Sequence, residues 1–390
     1  MWTHRDARSV VLALVVLSAC ITGGPSPVSS RPTGRPTLTA TPSPAEIETG
    51  TGISQLPLMS VARAAHTATT LADGTVLVAG GFGTEEENDV SAEIYVPATR
   101  TFASAGDMST ARYGHTATLL RDGRVLIAGG FSGGDRWLQS AELFDPETRT
   151  FAPTGSLSVP RADHTATMLE DGRVLLVGGV GPGVTFLDSA ELYDPNAGRF
   201  TPTGSITGPR ESTPATLLQD GRVLITGGHV GRHQDIRIYD SAQLYDPATG
   251  RFVPTGSLTV PRHKHDAVAL ADGRVLVLGG DDAADQQVFA SAEIYDPATG
   301  VHPDGGHARS PVQVPGTSIR LASGRVLVSS GAPSPEVFDP ASGSFSLLQG
   351  SLGLTPLFAA AAAVGRNQVL LTGGYSTSGP ATALAWLIGA

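Results

Sequence analysis

From about residue 51 to the C-terminus one pattern repeats, and any fold for this chain has to accommodate it. Its mark is a short apolar run closed by two glycines: VLVAGG at 76–81, VLIAGG at 125–130, VLLVGG at 174–179, VLITGG at 223–228 and VLVLGG at 275–280. Two altered copies follow, VLVSSG at 326–331 and VLLTGG at 369–374. The closing glycines are 49, 49, 49, 52, 51 and 43 residues apart. Seven units of roughly 50 residues are the signature of a repeat architecture.

Within a unit, four short segments read as strands. In the second they are 115–120 (HTATLL), 124–128 (RVLIA), 140–144 (SAELF) and 150–153 (TFAP). Runs rich in β-branched or aromatic residues, divided by Gly, Asp and Pro, are strand and hairpin signals. The Asp122-Gly123 pair suits a tight turn, because glycine tolerates positive φ. With 48 Gly and 28 Pro in 390 residues, long helices are disfavoured. Each unit therefore reads as a four-stranded antiparallel meander.

At these residues the chain resembles the kelch-repeat family, including the kelch-type domain of galactose oxidase. The resemblance rests on the Gly pair closing the second strand, the Tyr or Phe before Asp-Pro on the third, and an aromatic seven residues later. Where kelch units often carry Trp on the fourth strand, this chain has Phe102, Phe151, Phe200, Phe252 and Phe345, with His302 in the fifth unit. These rings are expected to pack between blades. The fold implied is all-β: a seven-bladed kelch-type β-propeller of four-stranded antiparallel blades.

A ring leaves an edge strand at its seam unless something pairs with it. The seventh unit ends after a third strand near 382–387, while ISQLPLM at 53–59 aligns with FAPTGSL at 151–157. The N-terminal segment is thus expected to be the missing fourth strand of the last blade.

Two sets of polar residues recur in register. On one rim, the arginine of Asp-Gly-Arg faces the aspartate of Tyr-Asp-Pro: Arg124 and Asp145, Arg173 and Asp194, Arg222 and Asp246, Arg274 and Asp296, Arg325 and Asp339. The first unit has Thr75 and Val96 and so loses both together. These are read as structural ion pairs, worth about 0–1 kcal/mol each if exposed. On the opposite rim, Arg-x-x-His enters the innermost strand: Arg63 and His66, Arg112 and His115, Arg161 and His164, Arg262 and His265, with Arg210 and Thr213 in the fourth unit. Glu93, Glu142, Glu191 and Glu293 share that rim, and the fourth unit has Gln243 there. The joint change to Thr213 and Gln243 suggests a hydrogen bond between His and Glu, which the sixth unit breaks with Glu336 opposite Gly316. Repetition around a ring favours scaffolding; the sharper alternative is a channel-mouth site for anions or polar ligands.

Differences between units are the better guide to function, since loops carry specificity. The loops after the Gly pair vary most: Glu85, Glu86, Glu87 and Asp89 in the first unit, Phe131, Arg136 and Trp137 in the second, His229, Arg232, His233 and Asp235 in the fourth, Asp281, Asp282 and Asp285 in the fifth. An acidic loop can hold Ca²⁺, but EF-hand spacing is absent. His229 and His233 are four apart without a third ligand, so no metal and no cofactor is assigned.

Arg5 and Arg8 precede an apolar run at 10–17, then Ser18, Ala19 and Cys20. This is the order of an export signal, and the run is too short to span a bilayer, which takes roughly 20 residues. The stretch Leu17-Ser18-Ala19-Cys20 resembles a bacterial lipobox, which implies cleavage before Cys20 and its lipidation; the alternative is an ordinary secretory signal. The organisation expected is a signal peptide at 1–19, a Pro-, Ser-, Thr- and Gly-rich tether at 20–50, and a propeller over 51–390. Cys20 is the only cysteine, which excludes a disulfide framework and the Tyr–Cys cross-link that a copper-radical oxidase requires. A net charge of −10 gives no footprint for nucleic acid. HExxH and P-loop motifs are absent, so no catalytic residue is assigned. The expectation is a monomeric, envelope-anchored module that binds a protein or glycan through its loop-rich rim. The alternative is a carbohydrate-active enzyme with its site at the channel mouth.

Overall fold

A computed structural model describes residues 51–390 apart from 84–88, 233–234, 283–286, 313–315 and 377–378. The described residues form one compact unit. The expectations for the export signal, Cys20 and the tether fall outside the described residues.

The chain forms seven four-stranded antiparallel sheets, the blades of a β-propeller, numbered here by repeat unit. The second blade shows the plan: Thr116–Leu119, Val125–Ala128, Ala141–Asp145 and Thr150–Pro153, each pairing with the next. First strands of successive blades lie side by side, and Thr67–Thr70 of blade 1 also meets Ala360–Val364 of blade 7, so the ring closes. Blade 7 is completed from the N-terminus, as the sequence indicates. Gly52–Gln55 pairs antiparallel with Ala385–Gly389, Gly52 opposite Gly389 and Gln55 opposite Trp386. The third strand of that blade begins a few residues later than its pattern suggests.

Burial follows from this stacking. The second strands are buried on both faces, as at Val76–Ala79, because a blade inside a ring has a neighbour on each side. The apolar clusters accordingly join blades: Leu71 and Leu77 of blade 1 pack with Val125, Ile127 and Phe144 of blade 2. The recurrent fourth-strand aromatics are more local than expected. Phe151 sits directly opposite Phe144 in its own blade, with centroids 4.9 Å apart, and Tyr95–Phe102, Tyr193–Phe200, Tyr245–Phe252 and Tyr295–His302 repeat the arrangement. Each ring pair then borders the cluster shared with the preceding blade.

The glycine pair has a steric origin. A Cβ on Gly80 would lie 2.5 Å from the Arg112 carbonyl oxygen of the next blade, and one on Gly81 would lie 2.7 Å from Ala64 O of its own. Both residues also hold positive φ, 65° and 98°.

The expected rim ion pairs are corrected. Arg124 pairs with Asp122 of its own turn (Nη2–Oδ2 2.6 Å), not with Asp145. Arg173 with Asp171, Arg222 with Asp220 and Arg274 with Asp272 do the same, while Arg325 faces the Ser323 hydroxyl at 3.5 Å. A partner two residues away is reached at almost no loop-closure cost. Asp145, Asp194, Asp246, Asp296 and Asp339 instead accept amide hydrogens from the turns they begin.

Candidate functional site

The Arg-x-x-His segments surround one mouth of the central channel, and their repeated residues are consumed by the scaffold. Each arginine is completely buried. Arg112 donates through Nη1 to Gly129 O (2.7 Å) and Ser140 O (3.1 Å), and through Nη2 to the Ser140 hydroxyl and Glu142 Oε1 (2.7 Å). Arg63 with Glu93, Arg161 with Glu191 and Arg262 with Glu293 repeat this clamp. The second oxygen of each glutamate accepts the amide of the incoming connector, as Ser109 N gives to Glu142 Oε2 at 2.8 Å. None of the four expected His–Glu bonds forms. Glutamate is taken by arginine, and the histidines reach across to a threonine of the preceding blade. His66 bonds Thr372, His115 bonds Thr67, His164 bonds Thr116 and His265 bonds Thr226, at 2.9 to 3.1 Å. In blade 4, Gln243 serves the connector at Thr207, and Arg210 turns to Thr207 O and stacks over Tyr239 at 4.1 Å.

These contacts fix the protonation of the site's scaffold. Burial, then the adjacent guanidinium, pushes His66 and His115 down to about 3, and burial holds His164 and His265 well below the usual range. All four stand as neutral rings at pH 7.

The two middle residues of each Arg-x-x-His segment differ between blades, and they set the character of the mouth. The first bridges to the residue after the Gly pair: Ala64 with Phe82, Tyr113 with Phe131, Ala162 with Val180, Glu211 with His229, Leu357 with Tyr375, and His263 with Asp281. Blades 7, 1, 2 and 3 therefore present an apolar arc, in which Phe82, Tyr113, Phe131 and Trp137 follow one another edge to face at 4.9 to 5.4 Å. Blades 4 and 5 present a charged arc. The second middle residue holds a left-handed φ near 50° in Ala65, Asp163, Ser212, Lys264 and Phe358. That conformation costs roughly 1–2 kcal/mol in a residue other than glycine, and such strain gathers at binding sites. Backbone bonds stitch these residues into a belt, from Ala65 N to Phe358 O, from Gly114 N to Ala65 O and from Asp163 N to Gly114 O.

The charged arc is continuous, with Glu211, His229, His263 and Asp281 buried and Arg232 and Lys264 partly exposed. Glu211 Oε1 accepts from Arg232 Nη1 and lies 3.1 Å from His229 Nε2. His229 and His263 face each other through Nδ1 at 3.0 Å, and His263 Nε2 meets Asp281 Oδ1 at 2.5 Å. Lys264 Nζ stands 3.5 Å from Asp281 Oδ2. Burial alone would raise the Glu211 carboxyl, but the hydrogen bond to His229 and the Arg232 charge bring it below the carboxylate range. Asp163, held up by burial and then by the negative charge of Glu211, moves the opposite way.

Of the ligand-binding candidates read from the sequence, Arg63, His66, Arg112, His115, Arg161, His164, Arg210, Arg262 and His265 are scaffold by their contacts. Trp137 joins the apolar arc, Arg136 is exposed beside the Ser132 hydroxyl at 3.2 Å, and His229 and Arg232 belong to the charged arc. His233 lies outside the described residues, as do Glu85, Glu86, Glu87 and Asp285. Among the described residues no three His, Cys, Asp or Glu converge as a metal site would need. Sequence reasoning missed Glu211, His263 and Asp163, which stand in the middle positions of the repeated motif.

Residues 65–280 match the family described as the KLHDC2/KLHL20/DRC7 kelch-repeats domain, more than half of the chain. The chain belongs to this kelch-repeat family. A solved structure of a fungal alcohol oxidase of the AA5 family, in complex with copper, shares the fold of this kelch propeller at a TM-score of 0.68 and 16% identity, over 87% of this chain and 76% of that one. No curated protein sequence matches it.

Proposed function

We propose that this kelch-repeat propeller is an envelope-anchored binding module that takes a protein or glycan ligand at its channel mouth. One observation carries the reading: the residues that repeat are bonded into the blades, whereas the pairs that vary assemble an apolar arc beside a charged one. A surface of that kind offers large aromatic contact area next to fixed polar groups, the composition of binding sites. The lipobox-like segment at Cys20 supports tethering, with acylation adding membrane affinity through buried CH₂ groups. A glycan array and a pull-down with the fragment from residue 45 onward test the module. Ligand capture that weakens in steps on Trp137→Ala, Arg136→Ala and Arg232→Ala supports it; capture indifferent to all three removes the mouth from the account. Detergent partitioning of the exported chain, lost on Cys20→Ser, tests the anchor.

A second reading, a carbohydrate-active enzyme, draws on the Glu211 and Asp163 carboxyls, whose environments push them in opposite directions as an acid and a base require. Glycan turnover that collapses on Asp163→Asn alone would favour it over graded binding. The copper chemistry named for the oxidase does not fit this chain: residues 51–390 contain no cysteine, so a Tyr–Cys cofactor cannot form in the propeller.

A further inference from the structure

Three groups meet at one nitrogen of the charged arc. His229 Nε2 stands 2.8 Å from Arg232 Nη1 and 3.1 Å from Glu211 Oε1, and Arg232 Nη1 also donates to that same Glu211 oxygen. A guanidinium has only hydrogens to offer, so it requires a lone pair on His229 Nε2. The hydrogen of the neutral ring then sits on Nδ1, where His263 Nδ1 receives it at 3.0 Å. That leaves the His263 hydrogen on Nε2, which faces two acceptors, Asp281 Oδ1 at 2.5 Å and Asp282 O at 3.3 Å. Every contact in this row is a donor meeting an acceptor. The other neutral arrangement fails at both ends. A hydrogen on His229 Nε2 would point at the Arg232 donor, and His263 would turn a bare Nε2 towards two oxygens.

We propose that this row is an acid-operated latch: a proton bound at His229 Nε2 hands Glu211 Oε1 from Arg232 to His229 and displaces the Arg232 guanidinium at the channel mouth. Nδ1 already carries its hydrogen, so a second one has to go to Nε2. Once there, it turns the acceptor of Arg232 into a donor and sets two cations 2.8 Å apart. Glu211 Oε1, at 3.1 Å, is the acceptor in reach of the new donor. Arg232 is the member with room to move: its side chain is 23% exposed, against 6% for Glu211 and 4% for His229, and its guanidinium rests on the Phe186 ring at 4.7 Å.

The charged groups around His229 come from three blades. Blade 4 supplies Glu211 and Arg232. Blade 5 supplies His263, with Asp281, Asp282 and Lys264 beyond it. Blade 3 brings the uncharged edge of Phe186 at 5.8 Å, and Asp163, whose charge acts on Glu211 and Arg232. Burial, opposed by the Glu211 carboxylate, holds His229 below the ordinary histidine value, so the latch is shut at neutral pH and opens in acid. No ligand is needed for this exchange, which therefore stands apart from the binding reading of the mouth.

The test is nuclear magnetic resonance on the full chain labelled with ¹⁵N, the His229 signals being assigned through their contact with the Phe186 ring. At pH 7.5 the couplings of the ring nitrogens to carbon-bound hydrogens should report the Nδ1–H tautomer at His229. Acidification should protonate Nε2 and shift the Arg232 side-chain signal with the same midpoint, while Arg112, whose guanidinium bonds oxygens, stays unchanged. Arg232→Met removes the competitor for Glu211, and the His229 midpoint should rise by about one pH unit or more. Arg232→Lys, which keeps the charge, should return part of that shift. The Nε2–H tautomer at pH 7.5 overturns the latch, and this reading needs no variant. So does an unmoved or lower midpoint in folded Arg232→Met, an Arg232 signal indifferent to the His229 titration, or loss of the fold by circular dichroism before His229 takes up a proton.

Discussion

The carbonyl oxygen of Arg112 accepts the amide hydrogen of Gly81 at 2.9 Å, across the seam between blades 1 and 2. The same bond recurs from Gly130 to Arg161, Gly179 to Arg210, Gly228 to Arg262 and Gly374 to Arg63. The residue that clamps one blade through its side chain thus also docks the preceding blade through its backbone. Assembly of the ring and rigidity of the mouth are therefore the same set of contacts.

Seam glycines should be intolerant of a methyl group. Gly80→Ala places Cβ 2.5 Å from Arg112 O at a φ of 65°, so left-handed strain of roughly 1–2 kcal/mol is compounded by a backbone clash. Gly123→Ala has a comparable φ of 87° but nothing within 4 Å, so it isolates the conformational cost. Thermal unfolding should show Gly80→Ala melting several degrees below Gly123→Ala. Equal melting points would mean that the seam relaxes around the added atom.

The buried arginines should differ according to what they leave behind. Arg112→Met strands Glu142, 2% exposed, and removing one partner of a buried pair costs about 3–5 kcal/mol. Arg210→Met strands no carboxylate, since Gln243 stands at the matching position, and its cost should be smaller. Urea titration of both variants gives the comparison, and adding Glu142→Gln to Arg112→Met should recover part of the loss. A larger penalty at Arg210 would show that its stacking over Tyr239 outweighs the charge argument.

The blades and their closure were legible in the sequence because both rest on short-range rules. Val-Leu-x-x-Gly-Gly states a buried strand and its end, and the absent fourth strand of the last unit could be matched to residues 53–56 by register. The rim pairs were misread because co-occurrence of Arg124 and Asp145 says that both belong to the motif, not that they touch; Asp122 is simply nearer. The same fault led His115 to be matched with glutamate, when its partner, Thr67, belongs to another blade. Attention to repeated residues also hid the site. Glu211 and His263 occupy the varying middle of Arg-x-x-His; strand pairing within each blade sets them beside His229 and Asp281, 18 positions further along in each case, and only the ring sets His263 against His229.

Acid should destabilise the propeller steeply from just below neutral pH. His66 and His115 have folded values of about 3, and His164 and His265 lie well below 6.5, so between pH 6.5 and 3 the unfolded chain binds protons that the folded ring refuses. Stability is then full above the unfolded value and falls with pH, by up to about 1.4 kcal/mol per unit for each histidine. Denaturant midpoints at pH 7.5, 6 and 5 measure the slope. His115→Gln should shallow it by one histidine's share, whereas an unchanged slope would assign the acid response to other groups.

Removing the N-terminal strand should open the ring at one known place. A chain starting at residue 60 loses Gly52–Gln55, which leaves the outer edge of Ala385–Gly389 unpaired, and it also loses Leu56 and Met59, buried against Val76 and Val364. An unpaired edge with apolar residues recruits another copy, so the truncated chain should self-associate in size-exclusion chromatography and melt earlier than the intact propeller. Because the missing piece is a single strand held by main-chain bonds in a fixed register, a synthetic peptide of residues 51–60 should add back to the edge and restore both the elution volume and part of the melting temperature. The same peptide carrying proline at Ser54 keeps the composition while removing a backbone donor opposite Leu387, and it should fail to rescue. Rescue by both peptides would mean that burial of Leu56 and Met59, and not strand pairing, closes the ring.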